Sequence, residues 1–418
     1  MRTFAVENGE VRLRLGKART NSALHSACTD FAHRFKTLCN MRKSYLFGAL
    51  AVAAVAIVAC TGQAEQQKPQ GLVIEKQGVF SSGGRVTEAI PGEYDPTQNW
   101  LDPERKGTTT HVDHANTFYQ IPADGSGTPI VFLHGYGQTR TGWQSTPDGR
   151  EGWSDLFLKK GYSVFLVDQP RRGAAGATEE IVTDPGDVAN GRFKVGEQAW
   201  YTHFRIGRVA PERYEGSQFP EGSEALEQFF CQMTPNTGNY DEVLFGQALS
   251  AVLKDVQTMT GRKSIYVTHS QGGRVGWATD TDNMAAVIAV EPGFAPEVGS
   301  DTYKKFVAAK VPMLFLFGDY IENGRSSESH PSSLEDGRVA TDVDKVNGPE
   351  DIQSTGFWKM VLQQCRDFAK QYNADGGDAT VIYLPDEDIH GNSHFMFQEK
   401  NNAEIADLIA EWLEKHNL

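Results

Sequence analysis

From Gly71 onward, continuous apolar runs alternate with segments whose apolar residues recur at helical spacing. Thr128-Pro-Ile-Val-Phe-Leu133, Tyr162-Ser-Val-Phe-Leu-Val-Asp168, Ile265-Tyr-Val267, Ala285-Ala-Val-Ile-Ala-Val290, Val311-Pro-Met-Leu-Phe-Leu-Phe317 and Thr380-Val-Ile-Tyr-Leu384 are short and apolar at successive positions. Such runs predict strands buried on both faces, as parallel sheets require. Between them, helices are predicted over Trp153 to Lys160, through Leu249, Val252, Leu253 and Val256, over Trp358 to Tyr372, and through Ile405, Leu408, Ile409, Trp412 and Leu413. Leu72–Lys76, Gly84–Ala89 and Thr117–Ile121, bounded by turn residues, predict earlier antiparallel strands. Strands alternating with helices predict an α/β fold with a mostly parallel central sheet and helices on both faces.

That alternation lapses from about Gly173 to Tyr240, where loop signals mix with Trp200, Tyr201, Phe204, Phe229 and Phe230. An insertion of this size over an α/β sheet predicts a cap, its aromatics forming chiefly a small core of their own. A polar loop is predicted from Glu322 to Asp351, and no internal repeat is visible.

The N-terminus reads as an address. Met41-Arg-Lys43 precedes an unbroken run of Leu, Phe, Gly, Ala, Val and Ile from Leu46 to Ala59, a length that fits an export signal and is short for a membrane span. It ends Ile57-Val-Ala-Cys60, which resembles a bacterial lipobox with Cys60 as the lipidated first residue; an uncleaved anchor helix is the rival reading. Residues 1–40 are expected to be a dispensable leader or an over-long start, residues 60–70 a polar tether, and residues 71–418 the folded domain. The expected location is the cell envelope, facing the periplasm.

Formal charge sharpens this division. Residues 1–59 carry nine Lys/Arg and three Asp/Glu, leaving 31 and 51 for residues 60–418, a net of −20. A nucleic-acid partner is not expected for so acidic a domain. In an exported protein Cys231 and Cys365 form either a disulfide or two buried thiols.

Candidate chemistry falls at the ends of the predicted strands, where open parallel sheets place their sites. Lys263-Ser-Ile-Tyr-Val-Thr-His-Ser-Gln-Gly-Gly273 reads as strand, sharp turn and helix, with Ser270 on the turn. A nucleophile elbow has this form, although Thr268 stands where its upstream glycine is usual. The 128–133 strand ends in His134-Gly-Tyr-Gly137, a turn able to aim backbone N–H groups at a nearby centre. Glu291 and Asp319 end the next two strands after Ser270, and His394 follows the last, with His390 close by. Glu291 is preferred as the acid because an unpaired carboxylate ending a wholly apolar strand is costly; Asp319 is the alternative. His269 is expected to point away from the site and be structural, and His134 to support its glycine turn. His111 and His114 form a His-x-x-His without an accompanying glutamate, and no metal is expected there.

In chain order these groups are Ser, acid, His, and from about residue 71 the sequence resembles the α/β-hydrolase superfamily. More narrowly it resembles a bacterial secreted esterase group whose acid is a glutamate. The residues that carry this are Thr268-His-Ser-Gln-Gly-Gly273, Val290-Glu-Pro-Gly293, Gly391-Asn-Ser-His394 and Asn401-Asn402. The resemblance implies an α/β-hydrolase fold, Ser270 as nucleophile, His394 as base, Glu291 as acid, and the N–H groups of Tyr136 and Gln271 as an oxyanion hole. It implies a serine esterase acting on a small-molecule ester through an acyl-enzyme, with no cofactor. Membrane contact is expected only through the Cys60 lipid. A peptidase, a lactonase, or an envelope binding module without activity are the alternatives.

Overall fold

The computed structural model describes residues 71–322 and 353–418, apart from 100, 103, 126, 181 and 183–195. The leader, the export signal, Cys60, the tether and nearly all of the 322–351 loop lie outside the described residues.

Among the described residues, eight strands form one sheet in the order β1-β2-β4-β3-β5-β6-β7-β8. They are β1 (Ile74–Val86), β2 (His111–Pro122), β3 (Pro129–Leu133), β4 (Ser163–Asp168), β5 (Ser264–His269), β6 (Met284–Val290), β7 (Met313–Phe317) and β8 (Ala379–Tyr383). β1 pairs antiparallel with β2, and β2 with β4; every later pairing is parallel. All six central strands lie where the apolar runs predict, within two residues at each end. The first two predicted strands are instead one: β1 runs through Gly83 and Gly84, both at positive φ, and stays in register with β2 across them. Glycine tolerates that conformation, so the turn signal in the sequence marks an irregular strand.

Among the described residues there are eight α-helices: α1 (Trp153–Lys159), α2 (Glu197–His203), α3 (Ser223–Cys231), α4 (Glu242–Thr260), α5 (Gln271–Ala278), α6 (Asp301–Ala309), α7 (Gln353–Ala374) and α8 (Asn402–Lys415). The period of two along the strands separates two cores. Tyr266, Val287 and Phe315 pack on one face with Leu249 and Val252 of α4, Phe306 of α6 and Phe368 of α7. Ile265, Val267, Ile288 and Leu314 pack on the other with Trp153 and Phe157 of α1 and Ile405 and Ile409 of α8. α4, which delivers the chain into β5, is held at both ends: Asp241 accepts the Leu244 N–H at 3.0 Å, and Gly261 closes it in the left-handed conformation.

The insertion carries α2 and α3. Trp200, Tyr201 and Phe229 are buried in the same core as α1 and α8, so these cap aromatics continue the main core. Cys231 is exposed on α3 and Cys365 is buried in α7; both are free thiols, and the disulfide alternative is not formed. His111 and His114 both lie on β2, His111 exposed and His114 half-buried, with Asp113 between them at φ 59°.

Candidate active site

Ser270 joins β5 to α5 with φ 53° and ψ −122°, a conformation costly for a residue with a side chain. The turn is held from both sides. Ser270 N–H donates to the Val290 carbonyl at 3.1 Å, and the Ser270 carbonyl accepts from Gly273 and Gly293 N–H at 2.9 and 3.0 Å. The two glycines after the serine serve different neighbours. A Cβ at Gly272 would stand 2.6 Å from the His134 carbonyl oxygen, and one at Gly273 would stand 2.6 Å from Pro292 Cβ. The elbow is therefore wedged between the turn after β3 and the turn after β6. Thr268 keeps its side chain because α5 offers Gly276 opposite, where a Cβ would come within 3.1 Å of Thr268 Cγ2.

Glu291 follows β6 with φ 41° and is wholly buried. Its Oε2 accepts from His394 Nδ1 at 2.5 Å, and its Oε1 accepts from Gly318 N–H at 2.8 Å and from Arg205 Nη2 at 2.5 Å. Burial alone would raise this carboxyl; Arg205, followed by His394, outweighs it and holds the group down at about 2. The His394 ring is also buried, which lowers its pKa, while Glu291 pulls the other way. With Nδ1–H donated to the carboxylate, Nε2 is left unprotonated, and it is buried with no hydrogen-bond partner. An imidazole held in this tautomer beside an anion can accept a proton and carry the resulting charge.

The elbow lies against this pair through its neighbour. His269, adjacent to Ser270, donates from Nε2 to the His394 carbonyl at 2.9 Å, and the two rings are 4.4 Å apart. His269 thus packs against His394 instead of pointing away, and burial keeps it neutral. His134 supports the β3 turn as expected: Nδ1–H donates to the Gly135 carbonyl at 2.9 Å and Nε2 accepts Gln169 N–H at 3.2 Å. Gln271 is the first residue of α5, where an N–H has no intrahelical acceptor. Tyr136 follows Gly135, whose carbonyl is tied to Arg172 at 2.9 Å, and its ring lies beside Trp200.

Asp319 stands apart from His394. Its Oδ2 accepts Gly391 N–H at 2.8 Å and its own N–H donates to the Asn392 carbonyl at 2.7 Å, so it orders the loop that bears the histidine. His390 is largely exposed, with Nδ1 3.6 Å from Asp319 Oδ2.

Three features escape sequence reasoning. Arg205 comes from the insertion, is buried, and reaches Glu291; nothing in the sequence separates it from Arg208 and Arg213 nearby. Phe204 stacks on the His394 ring at 4.7 Å and its carbonyl accepts the His394 N–H at 3.1 Å, so one cap aromatic serves the site directly. Glu399 is buried below the 391–394 loop, where Oε2 accepts from Asn392 Nδ2 at 2.8 Å. Burial raises its pKa to about 7.

Residues 130–408 match the model of the alpha/beta hydrolase family. The chain is 26% identical over 329 residues to a probable secreted lipase of a fungal species, covering 69% of this chain and 82% of that one. Among solved structures, a novel bacterial esterase superposes with a TM-score of 0.62 at 27% identity, over 83% of this chain and 98% of that one. With the sheet order, the elbow and this match in agreement, the chain belongs to the alpha/beta hydrolase family.

Proposed function

We propose that this protein is a serine esterase that cleaves small-molecule carboxylic esters through an acyl-enzyme. The observation that carries the reading is the Glu291–His394 contact, beside a serine on a strained strand-to-helix turn. Ser270 Oγ attacks the ester carbonyl carbon as His394 Nε2 takes its proton, and Glu291 stabilises the imidazolium. Gln271 and Tyr136 N–H groups receive the developing oxyanion. Collapse expels the alcohol, which leaves with the proton from His394. Water, deprotonated by the same nitrogen, then releases the acid and restores Ser270.

The secreted lipase and the bacterial esterase among its relatives support ester substrates over amides and lactones. Export through residues 41–59 and lipid attachment at Cys60 belong to the same reading, supported by the signal-like run and by that secreted relative. Treatment with a fluorophosphonate probe should label Ser270, and Ser270→Ala should lose both labelling and hydrolysis of a short-chain nitrophenyl ester. An unlabelled wild-type protein, or an active Ser270→Ala, overturns the assignment.

A further inference from the structure

The insertion meets the acid–base pair at one dipeptide. Phe204 stacks on the His394 ring and takes its main-chain N–H, while Arg205, at φ 65°, reaches Glu291. Arg205 is almost wholly out of solvent, and its contacts are specific. Nη2 donates to Glu291 Oε1 at 2.5 Å, Nε donates to the Asp319 carbonyl at 3.1 Å, and the guanidinium lies 5.7 Å above the Trp358 ring of α7. Glu291 offers two oxygens, and only Oε2 faces the imidazole; Arg205 and Gly318 together occupy the other. A buried carboxylate without a cation favours the neutral acid, which holds an imidazolium poorly.

We propose that Arg205 is a positioning residue supplied by the cap, which keeps Glu291 anionic and turned toward His394, so that the insertion completes the acid–base pair. This rests on the reading of Ser270, His394 and Glu291 above. The other ionisable groups around the pair act differently. His269 at the end of β5 is buried and neutral, Asp319 turns its side chain to Gly391, and Glu399 lies beneath the histidine loop. Among these, Arg205 supplies the strongest charge acting on Glu291.

The test uses the full chain and a short-chain nitrophenyl ester, with kcat and KM followed across pH. Arg205→Lys retains a cation and should stay near the wild-type profile. Arg205→Met should lower kcat about 100-fold with KM little changed. It should also move the acid limb of kcat/KM up by about one pH unit, because His394 loses a repelling charge and Glu291 a stabilising one. A merely structural residue would lower stability and leave that limb in place.

Since Arg205→Met alone leaves a buried anion, which is destabilising, Arg205→Met is also combined with Glu291→Gln, which leaves no orphan charge. In that background the arginine change should cost less than about threefold in kcat, as expected when two residues act through one contact. A full further loss there, or an unmoved acid limb in folded Arg205→Met, overturns the proposal. An active Glu291→Gln protein would instead overturn the acid assignment on which it rests.

Discussion

Both carboxylate oxygens of Glu399 accept the backbone N–H of Ser393, at 3.0 and 3.1 Å, fixing the residue that precedes His394. Burial raises this carboxyl from an ordinary 4.5 to about 7. The folded chain therefore holds an extra proton between those values. The contribution of this group to stability is full below about pH 4.5 and is lost as pH rises through about 7. Glu399→Gln is neutral throughout, so its stability relative to wild type should improve by up to about 3 kcal/mol across that window. Urea unfolding of both proteins at pH 5 and pH 8 checks this; parallel pH profiles would contradict it.

Glu291 and Asp319 end adjacent strands, yet only Glu291 meets the imidazole. Glu291→Gln should lower kcat about 10⁴-fold by removing the anion that orders and stabilises the imidazole. Asp319→Asn weakens the contacts of this carboxylate with the Gly391 and Tyr320 N–H groups and with His390, none of them on His394, and should cost about tenfold or less. The first variant also strands a buried arginine, at about 3–5 kcal/mol. Rates should therefore be compared at a temperature where circular dichroism reports both folded. Equal losses would return the acid role to dispute.

Gly135 leaves room for Ser270, the proposed nucleophile. A Cβ there would stand 2.8 Å from Ser270 Cβ and 3.1 Å from His269 Nδ1. Gly135→Ala should therefore displace the elbow and lower kcat/KM about 100-fold, with fluorophosphonate labelling slowed in proportion. Wild-type labelling rates in that variant would show that the turn absorbs the methyl group.

Thr268 and Gly276 divide one space between strand and helix. Gly276→Ala gains helix propensity of about 1 kcal/mol but crowds Thr268 Cγ2. Adding Thr268→Ser removes that methyl, so the cycle formed by the two changes should show a coupling of at least about 1 kcal/mol in thermal or urea unfolding. Additive effects would mean the two positions do not share the contact.

The sheet was legible because its central strands are buried on both faces, leaving apolar runs that few other elements produce. The elbow, the glutamate and the histidine were legible because each interrupts such a run with a group that needs a partner. Arg205 and Glu399 were not, because their meaning depends on contacts across 86 and six residues of chain that no local pattern encodes. His269 is structural as expected, but its direction differs from the expectation for a related reason. Strand alternation fixes a side chain's direction relative to its neighbours, but not what a distant loop will bring to meet it.

One dipeptide of the insertion touches both Glu291 and His394, the proposed acid–base pair, through the Phe204 carbonyl and the Arg205 side chain. Caps of this kind are usually thought of as interchangeable parts that retune selectivity while the sheet keeps the chemistry. Here a chimera that exchanges residues 173–240 for another hydrolase's cap forfeits both contacts at once. Cap grafts into this scaffold should therefore leave Phe204 and Arg205 in place, together with Glu291 and the 391–399 loop.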